Sequence, residues 1–114
     1  MTESGDALTP LKVIRSWRKY VEAVAEAVKS VAPEARIYLI GGAAEARLTV
    51  RSDIDVLIVL PEEPDIVRAA DLRARILRKA EEVGLPLYAP VELHIVGPKG
   101  LERYARKGRV IRLG

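Results

Sequence analysis

The stretch that decides the fold reads Ile37-Tyr-Leu-Ile-Gly-Gly-Ala-Ala-Glu-Ala-Arg-Leu-Thr-Val-Arg-Ser-Asp-Ile-Asp-Val-Leu-Ile-Val-Leu60. Its first four residues form a short apolar run that ends at Gly41-Gly42, the pattern of a buried strand entering a tight turn. A second strand opens with Asp53 and Asp55 and becomes wholly apolar from Val56 to Leu60. Because side chains alternate along a strand, Asp53 and Asp55 project from one face about 7 Å apart, close enough to share a divalent cation. Ile54 and Val56 point the other way, towards a core.

Outward from this stretch the chain alternates helix and strand. Upstream, Met1 to Leu8 is a polar lead-in, and Thr9-Pro10 reads as the cap and first residue of a helix. Ile14, Trp17, Val21, Val24, Val28 and Val31 recur at three- and four-residue spacing, so this is one long amphipathic helix stopped by Pro33. Between Gly41 and Leu48 a turn leads into a short Ala-rich helix. Pro61-Glu62-Glu63-Pro64-Asp65 is a loop opening a second long helix, with Ile66, Ala69, Ala70, Ile76, Leu77, Ala80 and Val83 expected to face inward and Gly84-Leu85-Pro86 closing it. A third strand, Val91 to Val96, puts Glu92 and His94 on one face and Val91, Leu93 and Ile95 on the other. Gly97-Pro98 then starts a last helix to about Lys107, and Arg109 to Leu113 is a terminal edge strand. This order predicts a small sheet covered by helices.

Composition narrows the chemistry. The 114 residues, 49 % of them hydrophobic, suit one domain with one core. No cysteine is present, so disulfides and thiolate metal sites are excluded, and a single histidine excludes a multi-histidine zinc site within one chain. No apolar run reaches the roughly 20 residues of a membrane span, and the polar start lacks a signal-peptide core, so a cytoplasmic protein without a membrane partner is expected. Asn, Gln and Phe are absent and Arg outnumbers Lys, a balance that suits a thermophilic source.

Three carboxylates stand out. Asp53 and Asp55 alone fit turn chemistry as well as a metal site, and the apolar residues after them exclude a calcium loop. Glu92 lifts the pair, because a carboxylate inside an otherwise apolar strand is costly to bury unless it meets a cation or several donors. Beside them, Gly41-Gly42 between a strand and a helix can present backbone N–H groups to phosphate. The turn is neither a dinucleotide fingerprint nor a P-loop. Hard cations prefer oxygen ligands, so magnesium held by these acids could position phosphate oxygens for in-line attack.

Gly41-Gly42, ten intervening residues, Asp53-Ile54-Asp55 within Arg-Ser-Asp-Ile-Asp-Val-Leu-Ile-Val, and a carboxylate in a later strand together resemble the minimal nucleotidyltransferases (MNT) of the DNA polymerase beta superfamily. The resemblance covers about Ile37 to Val96. It implies an α+β fold, a small mixed sheet with helices packed against it. It further implies a site in which Asp53, Asp55 and Glu92 hold two Mg²⁺ ions while Gly41 and Gly42 hold the phosphates of ATP or another nucleoside triphosphate. The implied reaction moves a nucleoside monophosphate, AMP above all, to an acceptor hydroxyl and releases pyrophosphate. Stand-alone members of this size are similar to antitoxins whose partner is a small helical RNase of the HEPN class, and such antitoxins modify a partner tyrosine with AMP. Three positions depart from the family pattern: Gly42 replaces Ser, Ala46 stands at a later Gly, and Glu92 replaces Asp. The missing hydroxyl removes one phosphate hydrogen bond, worth about 0.5 to 1.5 kcal/mol.

Other residues have simpler uses beside functional ones. Ser52 can bond a turn amide or touch phosphate. His94 can tune Glu92, act on a leaving group, or be a half-buried strand histidine with ordinary hydrogen bonds. Arg47 and Arg51 can clamp phosphate or be solvated. From Lys99 to Arg112 six basic residues stand against Glu102 alone, with Tyr104 among them, which suits RNA or an acidic partner as well as a solvated edge. The sequence therefore leaves three readings: a Mg²⁺-dependent nucleotidyltransferase, an interaction module of weak or lost chemistry that binds a helical partner, and an RNA-binding tail. The first helix also offers a stripe that the sheet or a second copy of the chain could cover.

Overall fold

The sheet is built round its most apolar strand. In the computed structural model, which describes residues 10–41 and 53–114, and side chains from Trp17 onward in the first helix, the elements follow the expected order. They are α1 (Pro10–Val31), β1 (Arg36–Ile40), β2 (Ile54–Val59), α2 (Ile66–Glu82), β3 (Val91–Val96), α3 (Pro98–Lys107) and β4 (Ile111–Arg112). The strands lie in the order β3-β2-β1-β4. β1 runs antiparallel to both β2 and β4, and β2 runs parallel to β3, so the sheet is mixed. The architecture is α+β. The Ala-rich helix expected after Gly41 falls outside the described residues.

β2 explains itself by burial. Strands covered on both faces read as continuous apolar runs rather than alternating ones, and Val56 to Leu60 are all buried. Ile54, Val56 and Ile58 join Ile37, Leu39 and Leu93 under α1 and α2, through Val24, Val28, Leu72, Ile76 and Ala80. Leu57 and Val59 face the other way with Tyr38 and Ile40, against Leu101, Tyr104 and Val110. Asp55 belongs to this second face, at its open end.

α1 follows its sequence pattern: Val21, Val24 and Val28 are buried, and Trp17 and Val31 pack against the core from its margin. Arg18 lies over the Trp17 ring at 4.7 Å. No helix of the described residues is both long and apolar enough to cross a membrane. α2 starts at Asp65, whose carboxylate accepts the Arg68 N–H at 2.7 Å, a cap that satisfies one otherwise unpaired amide. Its inward face differs from expectation. Ile66 is 88 % exposed and Ala70 is also exposed, while Leu72 joins Ile76 and Ala80 in the core. The reason is phase: at roughly 100° per residue, Ile66 lies about 240° round the helix from Leu72.

α3 lies close on the sheet because Gly100 has no side chain. A Cβ there would come within 2.4 Å of the Val96 Cβ. Its N-terminus is held from elsewhere, as Glu63 accepts the Lys99 N–H at 2.7 Å. The terminal strand is shorter than expected, Ile111–Arg112, but the pairing continues as turns of backbone: Leu113 N–H donates to the Ile37 carbonyl at 2.7 Å, and Ile37 N–H to that of Gly114 at 2.8 Å.

Candidate active site

The parallel pairing of β2 and β3 sets Asp55 level with Glu92, and His94 follows two residues on, on the same face. Asp55, Glu92 and His94 each offer a ligand atom, and these atoms lie within 4.8 Å of one another. Among the described residues no other trio of possible ligands converges in this way. His94 Nε2 stands 3.1 Å from Asp55 Oδ1. A carboxylate can only accept, so Nε2–H donates and the Nδ1 of a neutral ring is left to accept from the Tyr104 hydroxyl, 3.4 Å away. The His94 and Tyr104 rings sit 5.8 Å apart at 54°.

Gly41 closes the other side of Asp55. It has φ +69°, and a Cβ on it would come within 2.8 Å of Asp55 Oδ2. Glycine is thus needed twice at this one position, for the left-handed backbone and for the carboxylate beside it. Ile40, Gly41, Asp55, His94, Tyr104, Lys107, Gly108 and Arg109 line a cleft of about 270 Å³. Its floor is acidic and imidazole-bearing, and its lip carries two cationic residues, which suits a ligand that is itself anionic but bound through a cation. A slightly larger recess at the opposite end of β2, about 310 Å³ and lined by Glu34, Glu62, Glu63, Asp65 and Arg68 among others, gathers acids without converging three ligands.

Of the residues singled out from the sequence, the fold brings together Gly41, Asp55 and Glu92. Asp53 is exposed at the mouth of β2, outside the converging trio. Gly42, Ser52, Arg47 and Arg51 lie outside the described residues. Glu92 is not the buried carboxylate expected from its apolar neighbours: β3 is an edge strand and Glu92 is exposed, so no burial cost demands a cation there. What supports a site instead is its register with Asp55. His94 is half-buried and hydrogen-bonded, as one of its expected readings had it, with its side chain 24 % exposed beside an Asp55 that is 28 % exposed. Tyr104, Lys107 and Arg109 were visible only as members of a basic tail; no local spacing announces that α3 and the residues after it bring them to the Asp55 cleft.

The arrangement fits a divalent cation. Two carboxylates supply oxygen donors to one point, glycine leaves the approach to Asp55 open, and the cleft reaches solvent.

Known proteins share this fold. A presumed nucleotidyltransferase from Sulfolobus solfataricus superposes with a TM-score of 0.61 at 17 % identity, over 98 % of this chain and 90 % of that one. A chain of a toxin-antitoxin complex with AMP-PNP gives 0.55 at 18 % identity, covering 82 % and 71 %. A chain of the complex between a tri-AMPylated Shewanella oneidensis HEPN toxin and its MNT antitoxin gives 0.51 at 14 % identity, covering 85 % and 71 %. At such identities these likenesses concern the fold. No curated protein matches the sequence. The sequence model of the nucleotidyltransferase domain, however, matches residues 18–112, from the third turn of α1 through β4, and the chain belongs to that family.

Proposed function

We propose that this nucleotidyltransferase takes ATP as donor and moves AMP to a protein hydroxyl, a tyrosine of a small helical partner of the HEPN type, in a Mg²⁺-type divalent-metal reaction. The observation that carries the reading is the register of Asp55 with Glu92 beside Gly41. Asp53 just before β2, Asp55 on β2 and Glu92 on β3 are the residues that would hold two cations. When bound, the cations supply charge neutralisation at the phosphates and a lowered pKa at the attacking hydroxyl. The acceptor oxygen forms a bond to the α-phosphorus, the bond from that phosphorus to the bridging oxygen breaks, and pyrophosphate leaves with the electron pair. Gly41 and Gly42 are the residues that would hold the β and γ phosphates, with Ser52 as a further donor. Glu92 would complete the site at which the acceptor hydroxyl gives up its proton, taken by a carboxylate of the site and passed to solvent. Catalysis is then mainly positioning and electrostatics.

The likeness to toxin–antitoxin assemblies favours a second reading, in which the chain binds a helical partner as an antitoxin with weak or no transfer. One experiment separates them. Calorimetry of ATP with and without Mg²⁺ is run on the wild type and on Asp55→Asn and Glu92→Gln, with circular dichroism to show that each is folded. The transferase reading expects Mg²⁺-dependent binding, a fall in AMP transfer on the order of 100-fold or more in either variant, and phosphate chemistry that stops without the metal. Folded wild type that binds no nucleotide at millimolar concentration, yet still forms a partner complex, would leave the antitoxin reading.

A further inference from the structure

We propose that His94 is itself a metal ligand, and that its nitrogen gives one cation position of the site a preference for Mn²⁺ or a similar transition metal over Mg²⁺. This rests on the metal-site reading above and adds to it the nature of the ion.

The geometry starts from β3. Glu92 and His94 share a face two residues apart, so a single strand offers an oxygen and a nitrogen to the Asp55 carboxylate opposite. The three ligand atoms lie within 4.8 Å of one another. Ligands about 2.1 Å from one ion are spaced roughly 3 to 4.2 Å apart, so sub-ångström adjustments bring all three onto it. His94 Nε2 is the nitrogen that faces Asp55, at 3.1 Å. A cation entering there takes the place of the Nε2 proton.

Tyr104 makes that exchange straightforward. It lies outside the trio, on α3, with its hydroxyl 3.4 Å from Nδ1. With no metal, Tyr104 O–H donates to Nδ1 while Nε2–H donates to Asp55. With a metal on Nε2, the ring proton sits on Nδ1 and donates to the Tyr104 oxygen. A hydroxyl serves either tautomer by rotating. Metal-bound histidines are held by just such an outer partner on the second nitrogen.

Ion preference follows from the donor set. Mg²⁺ is a hard cation that seeks oxygen ligands, whereas imidazole suits first-row transition metals. A site of two carboxylates and one imidazole moves along that scale, away from Mg²⁺.

The chain has one histidine, which makes the test direct. Mn²⁺ is bound to the full chain and its pulsed electron paramagnetic resonance is recorded, first at natural abundance and then with ¹⁵N-labelled histidine. Expected is an imidazole ¹⁴N modulation that converts to the ¹⁵N pattern on labelling. In His94→Gln, folded by circular dichroism, it disappears, Mn²⁺ affinity falls on the order of 10-fold or more, and Mg²⁺ affinity changes much less. Mn²⁺ that binds, and is lost in Asp55→Asn, but shows no histidine nitrogen coupling would overturn the role of His94 while leaving the acidic site intact. Wild type that binds neither Mn²⁺ nor Mg²⁺ at millimolar concentration overturns both readings. The wild-type spectrum decides the matter even if His94→Gln does not fold.

Discussion

Gly41 shows how much one residue without a side chain can settle. Its positive φ turns the chain at the end of β1, and the space beside it is taken by the Asp55 carboxylate at 2.8 Å from where a Cβ would be. Gly41→Ala should therefore act twice. The left-handed backbone costs an L-residue about 1 to 2 kcal/mol, readable as a lowered melting temperature. The displaced carboxylate should in addition weaken divalent-metal binding in a titration carried out on the folded fraction. Equal metal affinity in folded Gly41→Ala would mean that Asp55 moves aside without consequence. At this scale the sequence was informative for Gly41, Asp55 and Glu92, because a glycine turn and a carboxylate at the strand mouth are local signals. It was silent on the Tyr104–His94 contact, since that depends on the direction in which α3 crosses the sheet, and no spacing between residues 94 and 104 encodes it.

Among the elements, the strands were read well and the helix phases less so. β2 is apolar on both faces and β3 alternates, and period-2 patterns carry their faces with them. Sheet order does not lie in such patterns, which is why Glu92 was taken for a buried acid when β3 is in fact an edge. Ile66, apolar but at the first position of α2, falls off the face that Leu72, Ile76 and Ala80 bury, because the first residue of a helix has no preceding turn to fix its phase. The contact of α3 with β3 yields a second prediction. Gly100 is buried, and its nearest neighbour, Val96, is β-branched and held in a strand. Gly100→Ala should destabilise the protein by about 1 to 3 kcal/mol through overpacking, measured by chemical denaturation, and should shift the Tyr104 and His94 ring signals in NMR. An unchanged denaturation midpoint would show that α3 slides on the sheet without cost.

For the molecule as a whole, the site is assembled from both ends of the sheet's edge-to-edge order. β3 contributes Glu92 and His94, β2 contributes Asp55, the end of α3 contributes Lys107 and the segment that leads into β4 contributes Arg109 to the cleft lip. β4 and the two residues after it are fastened to β1 by Leu113 N–H and the Gly114 carbonyl on either side of Ile37. Removing residues 111–114 should leave the core under α1 and α2 folded, by far-ultraviolet circular dichroism, while lowering its melting temperature and weakening nucleotide binding several-fold. Unchanged nucleotide affinity in the shortened chain would mean that the cleft lip does not depend on β4 for its place.

The pairing of β2 with β3 also bears on which changes of length the gene can accept. Added residues at the exposed Leu87-Tyr88 turn, between the buried Leu85 and the partly buried Val91, enlarge a loop and leave the register of the strand as it was. One added residue inside β3, between Val91 and Glu92, turns the rest of that strand over: Glu92 and His94 move beneath α1 and α2, and Leu93 and Ile95 come to line the cleft. A lineage carrying this domain is thus free to lengthen one side of Val91 and barred from altering the other by a single codon, so aligned relatives should show insertions that stop abruptly at the first residue of the strand.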